Sequence, residues 1–253
     1  MKVCVIIPTF NRAHLVDRAI RSILAQQERA RIEILVVDDG STDDTQAVLA
    51  DIAARHPEVR TIRQQNGGVT KARNCGLANL RDDVDIVTFL DSDDIWPRNR
   101  LEDLDCFTAD PSLDLTYGWM ILADEIDAVA MAPGAGCRTA RVRGLSLSAA
   151  LFRRNSIESI GRFNEKLPQA EDLDFLLRAF ENGLSFVETD TDCVVYLRHQ
   201  GNMTSSPLDV RRHFMNALYL STKRRKLNPS LSSRRPAFEL SPVTEVELEQ
   251  PHR

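Results

Sequence analysis

No apolar run in the 253-residue sequence approaches the ~20 residues that a membrane-crossing helix needs. The chain opens Met1-Lys2-Val3-Cys4-Val5-Ile6-Ile7 and meets Pro8 before a secretory leader could form, so a cytoplasmic location is expected. Cationic charge is not in excess either: 32 Lys and Arg stand against 37 Asp and Glu, a formal net charge of −5. Nucleic acid is therefore excluded as an expected partner, because duplex binding draws on a basic face that neutralises phosphates. Any polyanionic ligand has to be held by local groups. The five cysteines (Cys4, Cys75, Cys106, Cys137, Cys193) are odd in number, widely spaced and form no CxxC pair. That pattern excludes a disulfide framework and a zinc site, and leaves them as core thiols. No internal repeat is visible.

What is present is apolar material in a regular rhythm. An apolar fraction of 43% supplies a sizeable core, and the length suits one large α/β domain followed by a tail. Residues 2–7 form a β-branched run ended by Pro8, and Asn11 is placed to cap a helix carrying Val16, Ala19, Ile20, Ile23 and Leu24 on one face. The unit then repeats. A strand over 32–37 leads to Ser41 as a cap and to a helix with Val48, Leu49, Ile52 and Ala53; a strand over 59–63 leads to a small-residue helix over 69–80. A further apolar strand spans 84–90. This alternation predicts parallel strands with right-handed crossovers, a Rossmann-like half over 1–95.

Beyond Pro97 the period weakens. A helix around Leu101, Leu104 and Phe107, a strand over 115–122 and a mobile segment over 124–144 are expected. A short helix near Asn155 and a stronger one from Glu171 with Gly183 beyond its end follow, then strands over 184–187 and 193–197 and a helix over 207–226. The expected organisation is a single domain over 1–226, with a second half from 96, and a disordered tail over 227–253.

In a parallel sheet, ligands bind outside the carboxyl ends of the strands. The residues found there are Pro8-Thr9-Phe10-Asn11-Arg12, Asp38-Asp39-Gly40-Ser41, Asn66-Gly67-Gly68 and Asp91-Ser92-Asp93-Asp94. Asp38 and Asp39 can accept hydrogen bonds from a base or sugar, whereas Asp43 and Asp44 read as first-turn acids that complement a helix dipole. Asp91 and Asp93 alternate onto one side of the chain and offer two hard oxygen donors, a set that suits Mg²⁺ or Mn²⁺ completed by substrate phosphates. A phospho-accepting receiver domain can also open with a stretch like ILVVDD. It needs a later strand lysine, and no lysine lies between Lys71 and Lys166.

Six segments in order, IIPTFNR, VVDDGSTDDT, NGGVTKARNCGL, FLDSDD, GRFNEKL and QAEDLDFLLR, resemble the family 2 glycosyltransferases of the GT-A type across residues 1–205. The resemblance implies a GT-A α/β fold, with a nucleotide-binding half fused to an acceptor-binding half. It also implies transfer of a sugar from a nucleotide-diphospho-sugar donor, most often a UDP-sugar, to a hydroxyl acceptor. Residue by residue it places Pro8, Thr9 and Arg12 beside the nucleotide, Asp39 on the uracil or ribose, and Arg73 near the base or diphosphate. Asp91 falls on the ribose or a metal-bound water, and Asp93 on the metal. Asp172 resembles the general base of an inverting displacement, with Glu171 as the adjacent alternative or an orienting acid. Its first-turn position favours the carboxylate.

His199, in Tyr196-Leu197-Arg198-His199, is similar to a late element that approaches the metal or diphosphate; a surface or core histidine is the other reading. The stretch Leu147-Ser148-Ala149-Ala150-Leu151-Phe152 departs from the family pattern, where a glycine and a small residue often precede the acceptor-side helix. The rival readings are a nucleotidyltransferase of similar fold, which would carry a glycine-rich amino-terminal loop with basic residues, and a non-catalytic sugar-nucleotide binder. The basic run 223–226 reads first as a solvated helix terminus, and second as a peripheral contact with anionic lipid at the inner face of a membrane.

Overall fold

The computed structural model describes residues 1–144, 146–198, 207–234 and 246–250. Strand β1 (Lys2–Thr9) and β2 (Arg31–Asp38) are buried along nearly their whole length, as strands covered on both faces must be. Between them α1 (Val16–Leu24) buries Val16, Ala19, Ile20 and Ile23. The units α2 (Thr45–Arg55), β3 (Val59–Arg63), α3 (Val69–Ala78) and β4 (Ile86–Phe89) follow in the expected order. β1 pairs in parallel with both β2 and β4, and β2 in parallel with β3, so the parallel crossover pattern read from the apolar runs is present.

The helix starts are held differently from expectation. Asn11 adopts φ 52° and its Oδ1 accepts from Thr42 N at 2.8 Å, while Ser41 Oγ accepts from Asn11 N at 2.9 Å. Neither caps the helix that follows it. Asp43 serves α2 instead, its Oδ1 accepting from Thr45 N at 3.0 Å. The two loops after β1 and β2 thus satisfy each other's backbone groups across the sheet's carboxyl edge.

The chain continues through α4 (Leu104–Ala109), β5 (Leu115–Ala123), the short pair β6 (Ile126–Asp127) and β7 (Ala132–Pro133), and β8 (Thr139–Val142). The segment expected to be mobile is therefore laddered. β8 pairs with β5, and Ile126, Met131 and Cys137 pack against buried Ile95, Ala123 and Val195. β9 (Ala150–Arg153) inserts antiparallel between β4 and β5, so the stretch that departs from the family pattern includes a buried strand of the sheet. After α5 (Arg154–Ile160) and α6 (Glu171–Glu181), one continuous β10 (Phe186–Leu197) replaces the two expected strands. It runs parallel to β5 with register shifts between Glu188 and Val194, where polar side chains break the apolar pattern without ending the strand. The sheet order is β10-β5-β9-β4-β1-β2-β3, with β8 on β5.

Helix α7 (Pro207–Leu227) lies on α6, burying Ala217 against Leu173 and Leu177. Arg224 pairs with Asp174 at 2.7 Å and Glu181 at 2.6 Å, two acids that are 1% and 5% exposed. One member of the basic run is thereby an ion-pair partner of two buried acids, its own side chain half-buried. Within the tail, Thr139 and Glu249 exchange backbone hydrogen bonds at 2.9 and 2.8 Å, and Val246 and Leu248 pack against the main core. No helix among the described residues is long and apolar enough to cross a membrane. All five cysteines are free, Cys4 and Cys193 fully buried and the others partly so.

Removing Arg224 leaves two buried carboxylates short of a partner. Arg224→Ala is expected to cost about 2 kcal/mol in urea unfolding, less than the ~3–5 kcal/mol of a fully enclosed pair, because the arginine keeps access to water.

Candidate active site

At the carboxyl edge of the parallel strands lies a cavity of about 530 Å³. Its walls come from the ends of β1 (Pro8, Thr9, Phe10, Arg12), β2 (Asp39) and β4 (Asp91, Ser92, Asp93), from α3 and its approach (Asn66, Gly68, Arg73), and from the first turn of α6 (Ala170, Glu171, Asp172). The structure thus brings together Pro8, Thr9, Arg12, Asp39, Arg73, Asp91, Asp93, Glu171 and Asp172. His199 lies outside the described residues. Asp38 does not join the group. It is buried behind the edge, where Ser41 N donates to its Oδ1 at 2.9 Å.

Asp39 is placed by the loop it faces. Gly67 N at 2.9 Å, Gly68 N at 2.7 Å and Gln64 Nε2 at 2.7 Å all donate to its carboxylate, which leaves one of about four lone-pair sites for the cavity. Gly40 makes this possible. It sits at φ +77°, and a Cβ there would come within 2.8 Å of Asn66 N. The neighbouring Thr9 hydroxyl is buried and has no hydrogen-bond partner among the described residues, a polar atom at the cavity wall that a ligand can satisfy.

Arg73 is 5% exposed and forks between two elements. One Nη donates to Asp91 Oδ1 at 2.8 Å, and the other to Glu171 Oε1. Asn74, next on α3, accepts from Phe163 N at 2.8 Å and donates to Phe163 O at 3.1 Å and Glu165 Oε1 at 3.0 Å. These two side chains tie the first half of the chain to the second. Sequence reading quoted both inside ARN and assigned no role to Asn74. Met120, Ser146, Gln169 and Tyr196 also line the cavity and were not foreseen, since they come from the half without a clear period. Gln169 stood inside the quoted QAEDLDFLLR segment and was assigned no role.

Residues 91–94 form a turn, with Asp94 N donating to Asp91 O at 3.1 Å. Asp94 points inward, 1% exposed, and accepts from Leu197 N at 3.0 Å, tying this turn to the end of β10. Burial and the nearby Asp93 and Asp91 push its carboxyl well above the usual range. Asp93 stays at the cavity wall with Arg12 Nε 3.9 Å from its carboxylate. Five carboxylates (Asp39, Asp91, Asp93, Glu171, Asp172) therefore face two guanidiniums (Arg12, Arg73) in this wall. Among the described residues no three His, Cys, Asp or Glu side chains converge to hold a metal ion.

Asp172 departs from expectation in its proton affinity. Burial first, and the adjacent Glu171 second, raise its carboxyl to about 7, against the opposing pull of Arg73. Desolvation outweighs the first-turn dipole that favours the charged form. The sign for stability follows. Near pH 4 and below, Asp172 is protonated in both folded and unfolded chains; between about 4 and 7 only the folded chain holds the proton, so its contribution is lost as pH rises. Asp172→Asn is expected to melt like the parent at about pH 4 and above it at about pH 8 in paired calorimetric scans. An equal melting temperature at both values would contradict the burial argument.

Residues 4–124 match Glycosyl transferase family 2. Chondroitin synthase of Escherichia coli is 30% identical over 232 residues, covering 84% of this chain and 31% of that protein. The chain spans about a third or less of the length of several curated relatives that it matches. Among solved structures, S. aureus TarS 1-349 in complex with UDP-GlcNAc aligns with a TM-score of 0.67 at 24% identity, covering 87% of this chain and 66% of that one. The mannosyltransferase PcManGT from Pyrobaculum calidifontis, in complex with GDP-Man and Mn²⁺, aligns with a TM-score of 0.64 at 23% identity, covering 86% and 64%. The sheet order and these likenesses make the fold GT-A, and through residues 4–124 the chain belongs to glycosyl transferase family 2.

Proposed function

We propose that the chain transfers a sugar from a nucleotide-diphospho-sugar, a UDP-sugar first among them, to a hydroxyl acceptor in a single displacement with inversion. The observation that carries this reading is convergence. Nine residues from five separate sequence segments, marked by their place at strand ends or by the family resemblance, line one cavity at the ligand edge of a parallel sheet. Family membership supports it, as do the UDP-GlcNAc bound by TarS and the GDP-Man bound by PcManGT.

In this reading Pro8, Thr9, Arg12 and the remaining acceptor site of Asp39 hold the nucleotide. The carboxylate excess of the wall would repel a diphosphate, and Asp93 with Asp91 would be the residues to hold a divalent cation there. One or two carboxylates completed by substrate phosphates and water are the usual shell of Mg²⁺. Bound there, Mg²⁺ or Mn²⁺ would offset the negative charge that develops on the departing nucleoside diphosphate. Asp172 takes the proton as the acceptor oxygen bonds to the anomeric carbon, and the bond to the diphosphate breaks with its electron pair leaving on the nucleotide. Glu171 is committed to Arg73, which favours Asp172 as the base and Glu171 as the orienting acid.

Release of UDP from a panel of UDP-sugars, with sugar-terminated and simple alcohol acceptors and with or without Mn²⁺, tests the assignment. Absence of release with every donor and acceptor would overturn it. Asp172→Asn is expected to lower turnover by about 10²- to 10⁴-fold while calorimetric UDP affinity holds. Parent-like turnover in Asp172→Asn with an inactive Glu171→Gln would move the base to Glu171.

Because the base must be ionised, kcat/KM for the parent should rise with pH through about 7, following the raised carboxyl of Asp172. Asp93→Asn should abolish the stimulation by Mn²⁺ while the protein melts normally. Metal-dependent donor binding that survives in this variant would remove Asp93 from the cation site.

A further inference from the structure

Helix α7 presents two unlike faces. Inward, Ala217 is fully buried, Phe214 and Leu218 pack with it against α6, and Arg224 is consumed by Asp174 and Glu181. Outward, Met215 is 58% and Tyr219 63% exposed, one helical turn apart. Lys223 follows Tyr219 at the next turn and Lys226 lies beyond it, both exposed, so the apolar pair and the cations form one stripe. The charge is segregated. Over residues 207–227, with Arg224 spent on Asp174 and Glu181, five other Lys and Arg stand against a single Asp, in a chain whose net charge is −5. A second copy of the helix is a poor occupant, because a two-fold pairing of this face would set its own cations against each other. An acidic, amphiphilic surface complements it: lipid phosphates for the lysines and the headgroup boundary for the Met and Tyr.

We propose that the outward face of α7 docks on an anionic lipid bilayer, with Met215 and Tyr219 entering the headgroup region and Lys223 and Lys226 on the lipid phosphates. Arg224 contributes nothing to this contact, since it is spent inside the fold. The attachment is reversible and salt-sensitive, because a short apolar stripe with a few cations binds weakly by either means alone.

The test uses the full chain and no sugar transfer, so it stands or falls apart from the proposed activity. Sedimentation is compared with vesicles of phosphatidylcholine alone and of phosphatidylcholine mixed equally with phosphatidylglycerol. Binding to the mixed vesicles only, weakening as salt is raised, is expected. Lys223→Gln combined with Lys226→Gln should reduce partitioning by about 25-fold, taking each cation near an anionic surface as worth about fivefold. Its melting temperature should equal the parent's, since neither lysine is buried. Met215→Ser combined with Tyr219→Ser should weaken binding while the salt dependence persists. A parent that stays in solution with the mixed vesicles, or a double lysine variant that binds them as tightly as the parent, would overturn the proposal. So would a parent that dimerises without lipid and becomes monomeric in the Met215 and Tyr219 variant, which would give the face to a second copy.

Discussion

One buried guanidinium holds the cavity in shape. Arg73 reaches a strand end on one side and, 98 residues on in sequence, Glu171 in the first turn of α6 on the other. Its position is fixed from behind, since α3 lies so close on β1 that a Cβ on Gly76 would fall 2.5 Å from the Ile6 side chain. Asn74 repeats the link one residue on, by exchanging backbone-like hydrogen bonds with Phe163. An arginine is the residue for this task, because its planar fork can serve two carboxylates at once and keeps its charge when buried. Its proton is held tighter still by Asp91 and Glu171, whose attraction exceeds the cost of burial.

That commitment shapes the chemistry around it. With both Nη groups taken by Asp91 and Glu171, Arg73 acts in this structure as the brace of the two carboxylates, and Arg12 is the guanidinium left at the cavity wall with contact to Asp93. Asp172 sits beside the brace without being its direct partner. It receives the field of Glu171 and the desolvation of the site, and only part of the compensation from Arg73. Two adjacent acids in one helical turn are thus driven to different roles by their surroundings, one held as an ion-pair partner and the other left with an affinity for a proton near neutrality.

The first half of the fold was legible because its signal is physical and local. Strands buried on both faces must be continuous apolar runs, and parallel strands must be linked by helices, so 1–95 could be laid out from residue types alone. The ligand edge followed, and with it Asp39, Asp91 and Asp93. The helix caps were not legible, because Asn11, Ser41 and Asp43 satisfy groups on one another's loops, and a local capping rule cannot see a partner about 30 residues away. The second half resisted for a similar reason. β9 reads as a featureless apolar stretch until its neighbours on both sides are known, and the polar middle of β10 looks like a loop until Arg141 is seen to bind Asp190 and Asp192 there. Likewise the basic run at the end of α7 looked uniform, although Arg224 pairs with two buried acids while Lys223 and Lys226 are exposed.

The acidic balance of the chain and the composition of its cavity point the same way. A site for a diphosphate built only from side chains would be expected to gather cations. This one gathers five carboxylates, and of its two guanidiniums one is already spent on two of them. Under the proposed function, a polyanionic donor could enter such a wall only with positive charge of its own accompaniment, so an acidic protein and an anionic substrate cease to be in conflict once a divalent cation bridges them. Asp93 and Asp172, neither a direct partner of Arg73, are the two carboxylates to which that reading would assign the phosphates and the acceptor hydroxyl.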